Sequence, residues 1–246
     1  MRYNDIIEDI NPGEKKDSKA HFMVLWKKIL HDCSDFMNVA GKDPRSGKHN
    51  FLYRGIKTSG LNRAFIGKPR EDRQPLSGDP EQQEFANKGL AMLGFKTNRS
   101  NSIAVSTNYF VANGYGKVYL IFPKNGFSFL TGNRSDLLPM ARCNQIFNWF
   151  EKYHSDELIY GRSIEEMSFY NVDDESILMK WLEEHPVSMK EFWEYSKYLY
   201  ALTDTDIQTS LNKGYEIMIS GAEYYALEYR FAVGRLKKMG YNIYEI

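Results

Sequence analysis

The chain has 246 residues, 42% hydrophobic and 26% charged, ordinary values for a globular protein and wrong for a disordered or collagenous one. Lys plus Arg and Asp plus Glu number 32 each, so the formal net charge is zero, which argues against a polybasic nucleic-acid coat but not against a local basic cleft. No run approaches 18 apolar residues, and two distant cysteines, Cys33 and Cys143, argue against a disulfide framework or a structural zinc site. Both read as buried thiols in a reducing compartment.

Residues 1–16 form a polar leader that ends at the turn signal Asn11-Pro12-Gly13 and lacks the apolar core of a signal peptide. From Asp17 the spacing of Phe22, Leu25, Trp26, Ile29, Leu30, Cys33 and Phe36 predicts an amphipathic helix, with Asp17 or Ser18 as its cap. Residues 38–50 read as a loop and 51–56 as a short strand carrying one inward charge. Residues 57–80 hold three Pro, three Gly and the cations Lys57, Arg63, Lys68, Arg70 and Arg73, the pattern of a mobile surface loop. A helix over 80–94 with a glycine stop follows, then strands at 102–107 and 117–123, a turn, and more strand to Leu130.

From 139 to 211 the apolar residues Ile146, Phe147, Phe150, Trp181, Leu182, Phe192, Trp193, Tyr195, Tyr198 and Leu199 predict several short helices. Strand character returns at 215–220 and 241–246, while 222–239 fits a helix or, at its start, a strand. The aromatic residues, 17 Tyr, 15 Phe and 4 Trp, read in many places as surface or cleft.

Three segments carry chemistry when taken in order. They are Tyr53-Arg54-Gly55 on a strand, Ser106-Thr107-Asn108 at a strand end with Tyr109-Phe110 after it, and Glu216 opening an apolar strand after Lys213 and Gly214. A guanidinium on a rigid strand suits bidentate binding of phosphate. A carboxylate beside a sugar suits stabilisation of an oxocarbenium-like centre. Short hydroxyls hold such groups in place, and an aromatic ring stacks on a flat base. Each segment alone is weak: a strand arginine usually meets a carboxylate, and Ser-Thr is usually a turn. Glu223 and Glu228 are fallback carboxylates if the register differs.

Taken together, these segments and the run 104–126 resemble the mono-ADP-ribosyltransferases of the Arg-Ser-Glu, cholera-toxin-like group, over most of 50–225 outside the helical stretch. The resemblance implies an α+β fold: a two-sheet ADP-ribosyltransferase core at 46–138 and 212–246, an N-terminal helical segment at 1–45 and a helical insertion at 139–211, in a single domain spanning 1–246. It implies that NAD is the co-substrate and that no metal is needed. Glu216, Ser106 and Thr107 take the catalytic roles, and Tyr53, Arg54, Gly55, Ser106, Tyr109 and Phe110 hold NAD. Asn108 stands where the family most often has a second Ser, and Gly214 where many members have Gln or Glu, so Gly214, with Lys213 and Lys57, is assigned to the acceptor.

The expected function is transfer of ADP-ribose to a macromolecule with release of nicotinamide, leaning to nucleic acid over protein. The implied setting is a toxin, toxin–antitoxin component or phage effector working in the cytoplasm of the producing or a target cell, with no membrane and a possible inhibitor protein as partner. A protein-modifying transferase, an NAD glycohydrolase and a non-enzymatic interaction module are the alternatives. No HExxH is present, and Gly114-x-Gly116 precedes a strand, which disfavours a Rossmann dehydrogenase.

Overall fold

A computed structural model describes residues 19–41, 47, 49–57, 63–69, 80–133, 143–168 and 171–243. Along these run α1 (Lys19–Asp32), α2 (Ser34–Ala40), β1 (Leu52–Ile56), β2 (Ala64–Gly67), α3 (Pro80–Met92), β3 (Ser102–Ser106), α4 (Tyr109–Asn113), β4 (Lys117–Pro123) and β5 (Ser128–Thr131). They continue with α5 (Cys143–Tyr153), β6 (Leu158–Ile159), β7 (Arg162–Ser163), α6 (Val172–Glu184), α7 (Pro186–Tyr200), α8 (Ile207–Lys213), β8 (Glu216–Ser220), β9 (Tyr224–Glu228) and α9 (Tyr229–Lys238). The fold is mixed α+β, with one seven-stranded antiparallel sheet and a small β6–β7 hairpin.

The large sheet has the order β2-β9-β4-β1-β3-β8-β5. Five register pairs join β4 to each of β1 and β9, and five join β3 to β8. Between β1 and β3 there is one, Tyr53 opposite Ser106. The expected pair of sheets is thus a continuous sheet whose four-stranded and three-stranded halves meet at a single-pair seam.

Two apolar clusters flank it. In the first, the stripe Phe22, Trp26, Ile29, Cys33 and Phe36 along α1, the break after it and α2 covers the sheet, with the Trp26 ring edge-on to Phe122 at 5.4 Å. Strand β4 is buried at six of its seven positions because both its faces are covered. The second cluster joins α3 and α5–α7 to Leu130 and Met218 of the sheet. Here Phe85 lies against Phe192 and Trp193, and Gly89 sits under the Trp193 indole, where an added Cβ would fall 1.8 Å from the ring. Trp149, Trp181 and Trp193 are buried, so the tryptophans of the helical stretch form its core and not a stacking surface.

Several expectations are corrected. The predicted helix from Asp17 breaks at Cys33 into α1 and α2, and α2 reaches Ala40. The stretch 57–80, read as loop, contains the edge strand β2, whose Phe65 and Gly67 are buried against β9. The strand expected up to Leu130 is β5, which continues the sheet by pairing with β8. The ambiguous 222–239 is both things in turn, β9 and then α9. Residues 241–243, expected as strand, have no regular structure. The leader 1–16, Arg70, Arg73 and residues 244–246 lie outside the described residues.

Candidate active site

The seam brings the three chemistry-bearing segments together. Tyr53 pairs with Ser106, and Ser106 pairs with Glu216, so one residue from each segment lies in a single row across β1, β3 and β8. Arg54 is the next residue along β1 and is half-buried. Its Nη1 donates to the carbonyl of Ala104 at 2.9 Å, which carries a side-chain bond across the seam where the backbone ladder stops. A bond from a charged donor is stronger than a neutral one, and it uses one of five guanidinium donors. Among the described residues no carboxylate pairs with Arg54.

Ser106 is buried, and its Oγ accepts the Asn108 backbone N–H at 3.0 Å. Asn108 in turn caps α4, accepting Phe110 N–H at 2.9 Å through Oδ1. Asn108 at this position is thus explained locally as the helix cap. The Thr107 Oγ1 between them is buried and has no hydrogen-bond partner among the described residues, an arrangement that normally calls for a ligand or water. Glu216 is half-buried, and its carbonyl accepts the Thr131 hydroxyl at 2.8 Å, with Ser210 Oγ a further 2.6 Å from that hydroxyl.

Gly55 is fixed by packing. A Cβ there would lie 1.9 Å from the Ala112 carbonyl oxygen and 2.8 Å from Tyr115 Cβ, so only glycine lets α4 seat on β1. The role the resemblance gives it in holding NAD is not needed to explain the residue. Gly214 has a similar local reason. It is the left-handed C-cap of α8, with φ +75°, and its N–H reaches the Ser210 carbonyl at 3.1 Å. It nonetheless adjoins the site, since a Cβ would come 3.7 Å from Thr107 Oγ1.

The aromatic residues divide. Tyr109 is half-buried between Tyr53, at 6.0 Å, and Tyr229, at 4.8 Å, whereas Phe110 is 71% exposed. Phe110 is therefore the ring with a free face, and Tyr109 is part of the wall. Tyr229, the first residue of α9, was not singled out from sequence because it lies where helix and strand periods overlap. Thr131 was also missed, and a lone strand threonine gives no signal.

The fallback carboxylates are committed elsewhere. Glu223 takes Lys124 at 2.6 Å and Glu228 takes Lys117 at 3.0 Å. Glu228 stands opposite Tyr119, itself opposite Arg54. Burial, with the Glu228 charge adding, pushes the Tyr119 hydroxyl up to about 12. Of the acceptor candidates, Lys213 lies over the Tyr215 ring at 5.8 Å, and Lys57 is exposed just past the end of β1. No group of three or more His, Cys, Asp or Glu able to hold a metal ion occurs among the described residues, and no helix among them is long and apolar enough to cross a membrane.

The chain matches no protein-family model, no curated protein and no solved structure. The chemistry of the site therefore rests on its own geometry.

Proposed function

We propose that the chain is an NAD-dependent mono-ADP-ribosyltransferase acting on a macromolecule, with nucleic acid favoured over protein as the acceptor. The observation that carries this is the Tyr53–Ser106–Glu216 row at the seam, with Arg54 beside it. On this reading the two halves of the sheet are the two sheets of a transferase core. Arg54, with donors left over after Ala104, holds a phosphate of NAD. The buried Thr107 hydroxyl meets a ribose or amide group, and Phe110 stacks on the nicotinamide ring. The bond from ribose C1′ to the nicotinamide nitrogen breaks, and its electron pair leaves with nicotinamide. The Glu216 carboxylate stabilises the oxocarbenium charge left on the ribose. An acceptor nucleophile then bonds to C1′ and loses its proton to solvent.

The test is incubation with adenylate-labelled NAD and cell lysate, with nicotinamide release measured in parallel. Label that enters macromolecules and is removed by nuclease supports the reading. Label removed only by protease reassigns the acceptor to protein, and nicotinamide release without label makes water the acceptor. No release at all overturns the proposal.

A further inference from the structure

The zero net charge conceals a separation. Residues 143–213 contain 14 Asp and Glu against 6 Lys and Arg, a net charge of −8, so the rest of the chain carries +8. Part of that excess lies on α9, whose ten residues include Arg230, Arg235, Lys237 and Lys238 and no acid. The helix dipole favours cations in the last turn and accounts for three of these. It disfavours Arg230, which is exposed in the first turn. Tyr229, Ala232 and Leu236 form the buried face, and Arg230, Gly234 and Lys238 are exposed on the other side, with Lys237 half-buried beside them.

Gly234 is the second observation. Glycine weakens a helix interior, and the other helical glycine described here, Gly89, has a packing reason in Trp193. At Gly234 a Cβ would meet nothing within 4 Å, and no positive φ requires glycine. The fold does not explain it. What it leaves is a gap in the side-chain cover, between cations, where another backbone can approach closely. Beside it the half-buried Phe231 ring is flanked by Arg235 at 4.3 Å and Arg63 at 5.7 Å. The helix begins at the candidate active site, where the Tyr229 ring contacts both Tyr53 and Tyr109.

We propose that the outer face of α9, with Arg63, binds the phosphate backbone of a nucleic acid strand across Gly234 and leads that strand to the site at Tyr229. Cations interleaved with an aromatic ring suit a single strand, and the acidic helical region repels it from the other side. An acidic protein would also be drawn to these cations, but it has less use for a gap in the side-chain cover and a ring among them. The proposal rests on the proposed function only for what happens to the strand at the site.

The test uses the full chain without NAD. Anisotropy of a labelled 20-nucleotide single strand is followed over a salt series, and polyglutamate of matched charge is run as competitor. The triple variant Arg230→Gln, Lys237→Gln, Lys238→Gln should lose at least about ten-fold in affinity, and its log–log salt slope should fall by about 2, at roughly 0.7 per phosphate contact. Gly234→Leu keeps every charge and should raise the melting temperature while weakening binding several-fold. A control, Lys152→Gln with Lys190→Gln in the acidic region, should bind like the unaltered chain. Nicotinamide release in water should be the same in all variants, which separates failure here from failure of the catalytic reading. Wild-type affinity in the triple variant or in Gly234→Leu, or equal competition by polyglutamate, overturns the proposal.

Discussion

Tyr53 on β1 and Ser106 on β3 stand opposite each other as the one register pair joining the two halves of the sheet, and the Arg54 side chain spans the same seam to the Ala104 carbonyl. The residues with the strongest chemical potential in the sequence are thus also the residues at which the sheet is most weakly laced.

Glu216→Gln preserves shape and removes charge. Nicotinamide release should fall by about 10² to 10³-fold, the loss typical when one electrostatic group at a transition state is removed. NAD affinity and the unfolding midpoint should stay near those of the unaltered chain. Turnover at the unaltered rate would show that this carboxylate is not the reacting one.

Arg54→Ala should act on both stability and binding. It deletes a charge-assisted bond across the seam, worth about 1.5–3 kcal/mol, and it deletes the phosphate fork. Arg54→Lys should recover part of the stability and little of the NAD affinity, because a point ammonium cannot reproduce the planar fork. Urea midpoints and NAD titration, measured on both variants, separate the two effects. An unchanged NAD titration in the alanine variant removes the cofactor role.

Gly55→Ala should be costly without touching any reacting atom. A methyl 1.9 Å from the Ala112 carbonyl oxygen forces α4 off β1, at the upper end of the roughly 1–3 kcal/mol seen for overpacking. Chemical denaturation measures it, and loss of midpoint without change in slope is the expected form.

Gly214 distinguishes backbone from acceptor chemistry. Its φ of +75° predicts that Gly214→Asn is tolerated better than Gly214→Ala, by a few tenths of a kcal/mol to about 1 kcal/mol, because Asn visits the left-handed region more readily. Equal unfolding midpoints for the two variants would show that the conformation is not what selects glycine.

The Asp32 carboxylate accepts the Tyr225 hydroxyl at 2.6 Å and lies 2.9 Å from His31 Nδ1. The Tyr225 bond, then the His31 bond, hold its pKa below the usual carboxylate range against an opposing effect of burial. A depressed folded pKa means that this stabilisation is full above the unfolded value of about 3.9 and is lost as pH falls through the lower folded value. Tyr225 is shifted upward, by burial and then by Asp32, so its share declines as pH rises above about 10. Tyr225→Phe should therefore cost about 1–2 kcal/mol at neutral pH and flatten the acid limb of a stability profile. Urea midpoints from about pH 2 to 6 measure it, and an acid limb as steep as before would assign the pair no role.

Strong local patterns were legible. The stripe from Phe22 to Phe36, the strands at β1, β3, β4 and β8 and the glycine stop after α3 follow from periodicity and turn chemistry. Strand β2 was hidden because Ala64–Gly67 is four residues long amid Pro, Gly and cations, and it owes its state to pairing with β9. Tyr229 and Thr131 gain their positions from contacts far along the chain, which no local window contains. The order Arg, Ser-Thr, Glu was visible. That Ser106 would pair with both Tyr53 and Glu216 needed the strand order.

Among the described residues one backbone pair and one side-chain bond link β1 to β3, so the ladder is thinnest there, and α4, packed on both strands, covers the line. A ligand that bridges the line would supply lacing the ladder lacks there, so its grip should register as slowed amide exchange at Tyr53 and Ser106 well before any change reaches the middle of β4 or β8.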